Sequence, residues 1–322
     1  MSIKQEILRY SRQETQYPLS SWFDHELDNL IDQQIYPDQN TLEEQGKQLI
    51  KGLRAYSKRY NIQNVVIGMS GGVDSALTAA LFRHAGWHVL GVTMPIHQRP
   101  EETERGREAC DALGIYHKHI ELTKTYDDLL KSFRQHDDEI SKPNQTLRRG
   151  NLRVRLRMMT LYNEASAHRG LVGSTDNFSE LAAGFWTLHG DVGDLAPIQS
   201  LIKSWEVPKL AELYGVPEST VFATPTDGLG ISQGDEDQFG FSYLEFDIVL
   251  MKLCQLGAPL NRQELLEYLA APDSENEKLN KILDRISSSS FKRQNPYNLE
   301  HPYQSNRYPG LRNIDSGLWR DK

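Results

Sequence analysis

The feature that most narrows what this chain can become lies at residues 64–86, where NVVIGM runs into SGGVDS and then ALTAALFRHAG. The β-branched, apolar run through Met69 has the length and composition of a short buried strand. Gly71 and Gly72 follow, and the spacing of apolar residues from Ala76 to a stop at Gly86 reads as a helix. WHVLGVTMP (87–95), IYHKHIEL (115–122) and GLVGST (170–175) are further strands, separated by helical stretches at 101–114 and 151–168. This alternation predicts an α/β fold: a doubly wound parallel sheet with helices on both faces, and ligands outside the carboxyl ends of the strands.

The flanks are less regular. Residues 1–42 are polar and aromatic without a clean period and are read as an N-terminal arm. Leu42–Tyr60 has helical spacing. Residues 184–240 are dense in Gly, Pro and Asp, with one helix near Pro208–Tyr214. Helices return at 243–256, 262–270 and 274–287, a helical C-terminal segment. The division expected is an arm (1–42), a catalytic domain (43–294) and a Pro-, Tyr- and Asn-rich tail (295–322).

No apolar run approaches bilayer length, and the first residues lack the apolar stretch of a secretion signal, so no membrane association and a cytoplasmic location are expected. A net charge of −8 argues against a general nucleic-acid partner but leaves room for an anionic nucleotide substrate. Cys110 and Cys254 sit in helical patterns rather than in a CxxC pair and read as reduced thiols. His117 and His119 share one face of a strand and, without further His or Cys nearby, read as surface residues.

The Gly68-Met69-Ser70-Gly71-Gly72-Val73-Asp74-Ser75 segment carries the strongest chemical signal. Consecutive glycines let backbone N–H groups turn around phosphate oxygens, and the helix start adds positive potential. Ser70 and Ser75 add hydroxyl donors. Asp74 beside phosphates repels them unless a cation intervenes, and Mg²⁺ is the natural bridge. The bland alternative is a glycine turn followed by an Asp cap. The segment is neither a Walker loop, which needs Gly-Lys-Ser/Thr, nor a GxGxxG turn. SGGVDS resembles the PP-loop of the N-type ATP pyrophosphatases, which cleave ATP to AMP and pyrophosphate.

Three downstream segments resemble one branch of that superfamily, the ammonia-dependent NAD synthetases. Asn151–Met158 is similar to the family's NxxARxRM. On a helical wheel Arg153 and Arg157 share a face with Glu164, read as solvated, whereas Arg155 falls among Leu152, Met158, Met159 and Tyr162. A cation on an apolar face needs a partner, either a buried acid or an anionic substrate group. Gly173–Asp194 is similar to GTxxxxEExxGxxTxxGDGxxD. The resemblance implies that Thr175 meets ATP, that Glu180 joins Asp74 around magnesium, and that Asp191 and Asp194 serve the nicotinate end of the substrate or ammonium. Read without it, Asp191 could simply shape a glycine-rich turn. The third match comprises PIQSLIK (197–203), PTDGL (225–229) and DEDQFGFSY (235–243), and it implies that Lys203 and Thr226 contact ATP. SSSFKR (288–293) is similar to a basic element that closes over the dinucleotide, which places Phe291 and Lys292 there.

The resemblance covers roughly residues 45–295 and implies an adenine nucleotide alpha hydrolase-like fold. It implies amidation of deamido-NAD (nicotinate adenine dinucleotide) with ammonia, through an acyl-adenylate, to NAD, AMP and pyrophosphate. ATP is the co-substrate and Mg²⁺ the cofactor, with Asp74 and Glu180 as metal ligands, Lys203 beside the phosphates and Asp191 as a base toward ammonium. A homodimer with substrate at the subunit boundary is implied as well. The 69 residues before Ser70 hold no Cys and no room for a fused glutaminase, so free or delivered ammonia is the expected nitrogen source. Leu188 stands where many members have Lys, Phe291 where many have His, the Gly-Asp loop is one residue shorter, and PTDGL replaces PTADL. All these departures touch the deamido-NAD side. They leave open amidation of nicotinate mononucleotide. Another PP-loop ligase and a non-catalytic ATP sensor are the remaining alternatives.

Overall fold

Val65, Val66 and Ile67 are all but closed to solvent because β1 (Asn64–Gly68) runs through the interior of a four-stranded sheet. In the computed structural model, which describes residues 1–11, 18–133, 141–224, 236 and 240–294, the strand order is β3-β2-β1-β4. β2 (His88–Thr93) flanks β1 on one side and β4 (Leu171–Val172) on the other, with β3 (Tyr116–His119) at the edge. Every pairing is parallel, Val66 lying opposite Leu90 and Val172.

Successive side chains of a strand point to opposite faces, so Val65 and Ile67 enter one apolar core and Val66 the other. The first core holds α3 (Gln39–Tyr60), α4 (Val73–His84), α5 (Pro100–Leu113), α8 (Phe178–Ala183) and α9 (Glu206–Leu213). The second is closed by α6 (Thr123–Phe133) and α7 (Lys142–Ala167). The expected doubly wound parallel sheet with helices on both faces is therefore present. Beyond it lie α10 (Glu218–Val221), α11 (Tyr243–Leu253), α12 (Arg262–Leu269) and α13 (Asn276–Ser288).

Several elements differ from the sequence reading. α6 was not anticipated, although Tyr126 and Leu130, one helical turn apart, are its buried residues. β4 is shorter than 170–175, because the chain turns away after Val172 so that Ser174 N–H can donate to the Leu195 carbonyl at 2.9 Å. Among the described residues of 1–42 lie α1 (Ile3–Ser11), α2 (Ser21–Asp32) and the first turn of α3. Ile7, Phe23, Leu27, Leu30 and Tyr36 are completely buried in the first core, and the 23-27-30 spacing is a helical face that the surrounding polar residues obscure. Thr226 and residues 295–322 lie outside the described residues. No described helix is long and apolar enough to cross a membrane.

Candidate active site

The chain leaves β1 toward β2 on one side, and β4 lands on the other, so the order reverses between β1 and β4. In open parallel sheets the crevice outside the carboxyl ends at such a reversal is where ligands bind. Two loops border it, Gly68–Ser75 after β1 and Gly173–Glu180 after β4.

The first loop is shaped by Gly71, whose φ of +86° and 2.1 Å clearance from any added Cβ to the Glu102 carbonyl oxygen admit only glycine. Met69 N–H donates to the Val92 carbonyl at 2.8 Å, which fixes the loop to β2. Gly72 then starts α4 without a side-chain cap. Gly72 N–H donates to Ser70 Oγ at 3.3 Å and Ser75 Oγ donates to the Gly72 carbonyl at 2.9 Å. An uncapped helix start presents N–H groups and positive potential, the conditions for holding an anion. Asp74 is thus not the cap, as the bland alternative supposed; it lies in the first turn.

Asp74 and Glu180, which belong to separate loops, converge. The Lys203 ammonium pairs with Asp74 Oδ2 and lies 3.8 Å from Glu180 Oε1. A residue that sequence reasoning passed over completes the arrangement: Asn177, wholly buried, donates from Nδ2 to Asp74 Oδ1 at 2.8 Å. Asn177 also forms a capping box at the start of α8, its Oδ1 accepting from Glu180 N–H at 2.9 Å while its own N–H donates to Glu180 Oε2 at 3.3 Å. The signal for it was present as Asn-x-x-Glu, but only the structure shows that its amide reaches the other loop. Among the described residues no third His, Cys, Asp or Glu groups with these two carboxylates. Behind them Asp247, fully buried on α11, accepts from Ser179 Oγ at 2.5 Å and from Ser204 N–H at 2.9 Å. It too was missed. Burial raises its carboxyl to about 6, and the hydrogen bonds from Ser179 and Ser204, with nearby Lys203, oppose the rise.

A second group lies around α7. The wheel assignment of its arginines is corrected here: Arg157 faces inward and Arg155 is exposed. Arg157 donates to the Met94 carbonyl at 3.0 Å and to Gln98 Oε1 at 3.2 Å, and burial lowers its guanidinium to about 10. Glu164, expected on a solvated face, is buried and binds Lys118 Nζ at 2.8 Å. The reason is that α7 carries two apolar stripes. Its own sheet takes Leu156, Met158, Leu161 and Ala165, and leaves Met159 (61%) and Tyr162 (39%) exposed beside Arg155. Arg155 Nε donates to the Leu188 carbonyl at 3.2 Å.

Asp191 accepts from Thr187 N–H at 2.6 Å, and burial pushes its carboxyl up to about 6 against the pull of Arg157 and Lys292. Lys292 Nζ donates to the carbonyls of Gly184 and Trp186 at 2.7 and 2.6 Å, which pins the C-terminal segment onto the same loop, while neighbouring Phe291 points out and is 62% exposed. Asp194 accepts from Val172 N–H at 2.8 Å and Tyr162 OH at 2.9 Å. Thr175 is half-buried at the end of the β4 crossing. The two groups are joined by Gln98, which accepts from Arg157 and donates to the Ser70 carbonyl at 3.3 Å. His117 and His119 do share a face, both meeting Thr93 Oγ1, at 2.9 and 3.0 Å.

The sequence and the fold are matched in known proteins. The family model for NAD synthase matches residues 46–296. An NH(3)-dependent NAD(+) synthetase of Finegoldia magna is 36% identical over 205 residues, 63% of this chain and 82% of that protein. Among solved structures, NMN synthetase from Francisella tularensis superposes with a TM-score of 0.66 at 26% identity, covering 81% of this chain and 99% of the other. The NH3-dependent NAD synthetase from Campylobacter jejuni gives 0.62 at 27% identity, covering 80% and 99%. The crevice between β1 and β4, the glycine-rich loop that borders it and the match over most of the chain lead to one conclusion: this chain belongs to the NAD synthase family.

Proposed function

We propose that the chain is an ammonia-dependent NAD synthetase that amidates deamido-NAD at the expense of ATP. The observation that carries this reading is the meeting of Asp74, Glu180 and Lys203 beside the uncapped start of α4. A carboxylate oxygen is a poor leaving group, and adenylation replaces it with AMP. The nicotinate carboxylate attacks the α-phosphorus and pyrophosphate departs; ammonia then attacks the acyl-adenylate and AMP leaves. Gly71, Gly72, Ser70, Ser75 and Lys203 orient the phosphates and balance their charge, with Thr175 and Thr226 as further ATP contacts.

Two carboxylates with no third acidic, His or Cys ligand among the described residues suit Mg²⁺, which takes one or two carboxylates and completes its shell with phosphate oxygens and water. Asp74 and Glu180 would hold it, and it would neutralise phosphate charge. The raised Asp191 carboxyl suits acceptance of a proton from ammonium near neutral pH. Activity should therefore rise as pH passes upward through about 6. Asp191→Asn should remove that limb of the profile.

Arg155, Asp194, Phe291 and Lys292 belong to the deamido-NAD side of this reading. The exposed Leu147, Met159 and Tyr162 beside Arg155 support a homodimer with substrate at its boundary, acting in the cytoplasm. Met159→Asp should halve the mass in sedimentation. The Francisella neighbour, named for NMN synthesis, and the Leu188 and Phe291 departures favour nicotinate mononucleotide as a second reading. Pyrophosphate release measured with deamido-NAD, nicotinate mononucleotide, xanthylate and aspartate separates the two. Turnover with xanthylate or aspartate alone would overturn both.

A further inference from the structure

Asp247 is 68 residues from Ser179 and 43 from Ser204 in sequence, yet its carboxylate accepts a hydrogen bond from each. Ser179 immediately precedes Glu180, and Ser204 immediately follows Lys203. Ser179 Oγ in turn accepts from Lys203 N–H at 2.9 Å. One buried carboxylate thus ties the residue beside each of the two side chains that converge on Asp74, through the Ser179 hydroxyl and the Ser204 N–H.

Local structure does not require it. α11 already has a complete capping box from Ser242 and Glu245, and Phe178 N–H to the Leu201 carbonyl at 2.9 Å already joins the two segments. An apolar side chain would fill such a site at less desolvation cost than a carboxylate. What an apolar residue could not do is accept two hydrogen bonds at once from two different loops.

We infer that Asp247 is a positioning residue for the reaction, holding Glu180 and Lys203 in register against Asp74 through Ser179 and Ser204. The inference rests on the ligase reading of that site. Asp247 touches no substrate in this account and acts through its two neighbours. It would keep Glu180 and Lys203 from drifting apart when Lys203 turns from Asp74 toward the phosphates.

The test compares Asp247→Ala, Asp247→Asn and Ser179→Ala with the parent chain. It reads thermal unfolding, kcat and KM for ATP, the Mg²⁺ concentration at half-activity, and calorimetric binding of a non-hydrolysable ATP analogue with Mg²⁺. Asp247→Ala should lower kcat about 100-fold, as expected for reacting groups displaced by about an ångström. It should raise the Mg²⁺ requirement and weaken analogue binding about 10-fold, the usual cost of losing a group that orients metal ligands. Asp247→Asn should recover much of the loss, because its amide oxygen still accepts from Ser204 N–H and its NH2 can donate to Ser179. Ser179→Ala should fall between the two. Should Asp247→Ala not fold, the Asn and Ser179 variants carry the test.

Variants that melt earlier while kcat, Mg²⁺ requirement and analogue affinity per folded molecule stay at parental values would overturn the inference. A parent chain that makes no AMP from either nicotinate substrate would sink the ligase reading alone. The 10-fold change in analogue binding would still decide the positioning claim.

Discussion

Two helix starts face each other across the crevice, and they are built in opposite ways. α4 begins at Gly72 with no side-chain cap, whereas α8 begins at Asn177 with a full capping box. The open end keeps its N–H groups for a ligand. The closed end spends its own polar groups on fixing Glu180, and reaches across with one amide to hold Asp74. The contrast shows how a site can be receptive and rigid at once: receptivity sits on one helix and rigidity on the other.

Substitutions can test that division of labour. The largest effect should come from Asp74→Asn, which removes the carboxylate shared by Lys203 and Asn177. Turnover should fall about 1,000-fold, the upper end for loss of one preorganised charge-stabilising group, with little change in melting temperature. An Asp74→Asn protein of parental activity would break the comparison at its centre. Next, Gly71→Ala forces a left-handed φ and a clash with the Glu102 carbonyl on the open end. It should cost roughly 3 kcal/mol in denaturant unfolding, in the range of strained-backbone changes, and abolish saturable ATP binding.

Asn177→Ala should cost about 1 kcal/mol, the usual value for a lost cap, and about 10-fold in kcat/KM, since about 1.4 kcal/mol corresponds to tenfold. Asn177→Ser sharpens the point, because serine caps a helix but cannot donate as the amide does. Stability should shift by only a few tenths of a kcal/mol, given the similar capping strength of Ser and Asn, while the loss in kcat/KM persists. Recovery of both stability and kcat/KM in Asn177→Ser would show that the amide to Asp74 contributes nothing of its own.

The open end was legible in the sequence because all of its parts are contiguous: a strand, two glycines, an acid and a helix within Asn64–His84. The closed end was legible only in part. Glu180 and Lys203 came from the ordered resemblance, and their convergence with Asp74 appears in the fold. Asn177, Ser179 and Asp247 were not found, because each looks like an ordinary polar residue until distant segments meet. The faces of α7 were misassigned for a related reason. Periodicity reports that apolar stripes exist, but the sheet decides which stripe it buries, and here it took Leu156 and Leu161 rather than Met159 and Tyr162.

The N-terminal helices bear on how far the molecule can be cut down. Tyr10 stacks on Phe222 and lies against Trp205, two residues past Lys203, while Trp205 Nε1 donates to the Pro37 carbonyl at 2.8 Å. Lys209 Nζ pairs with Glu6 at 2.8 Å. Truncation to the stretch that matches the family would therefore strip the floor from beneath the lysine's own loop. Phe23, Leu27 and Leu30 would leave with it, each worth about 1.5–3 kcal/mol of burial. For this protein a minimal engineering scaffold has to begin at its first helix.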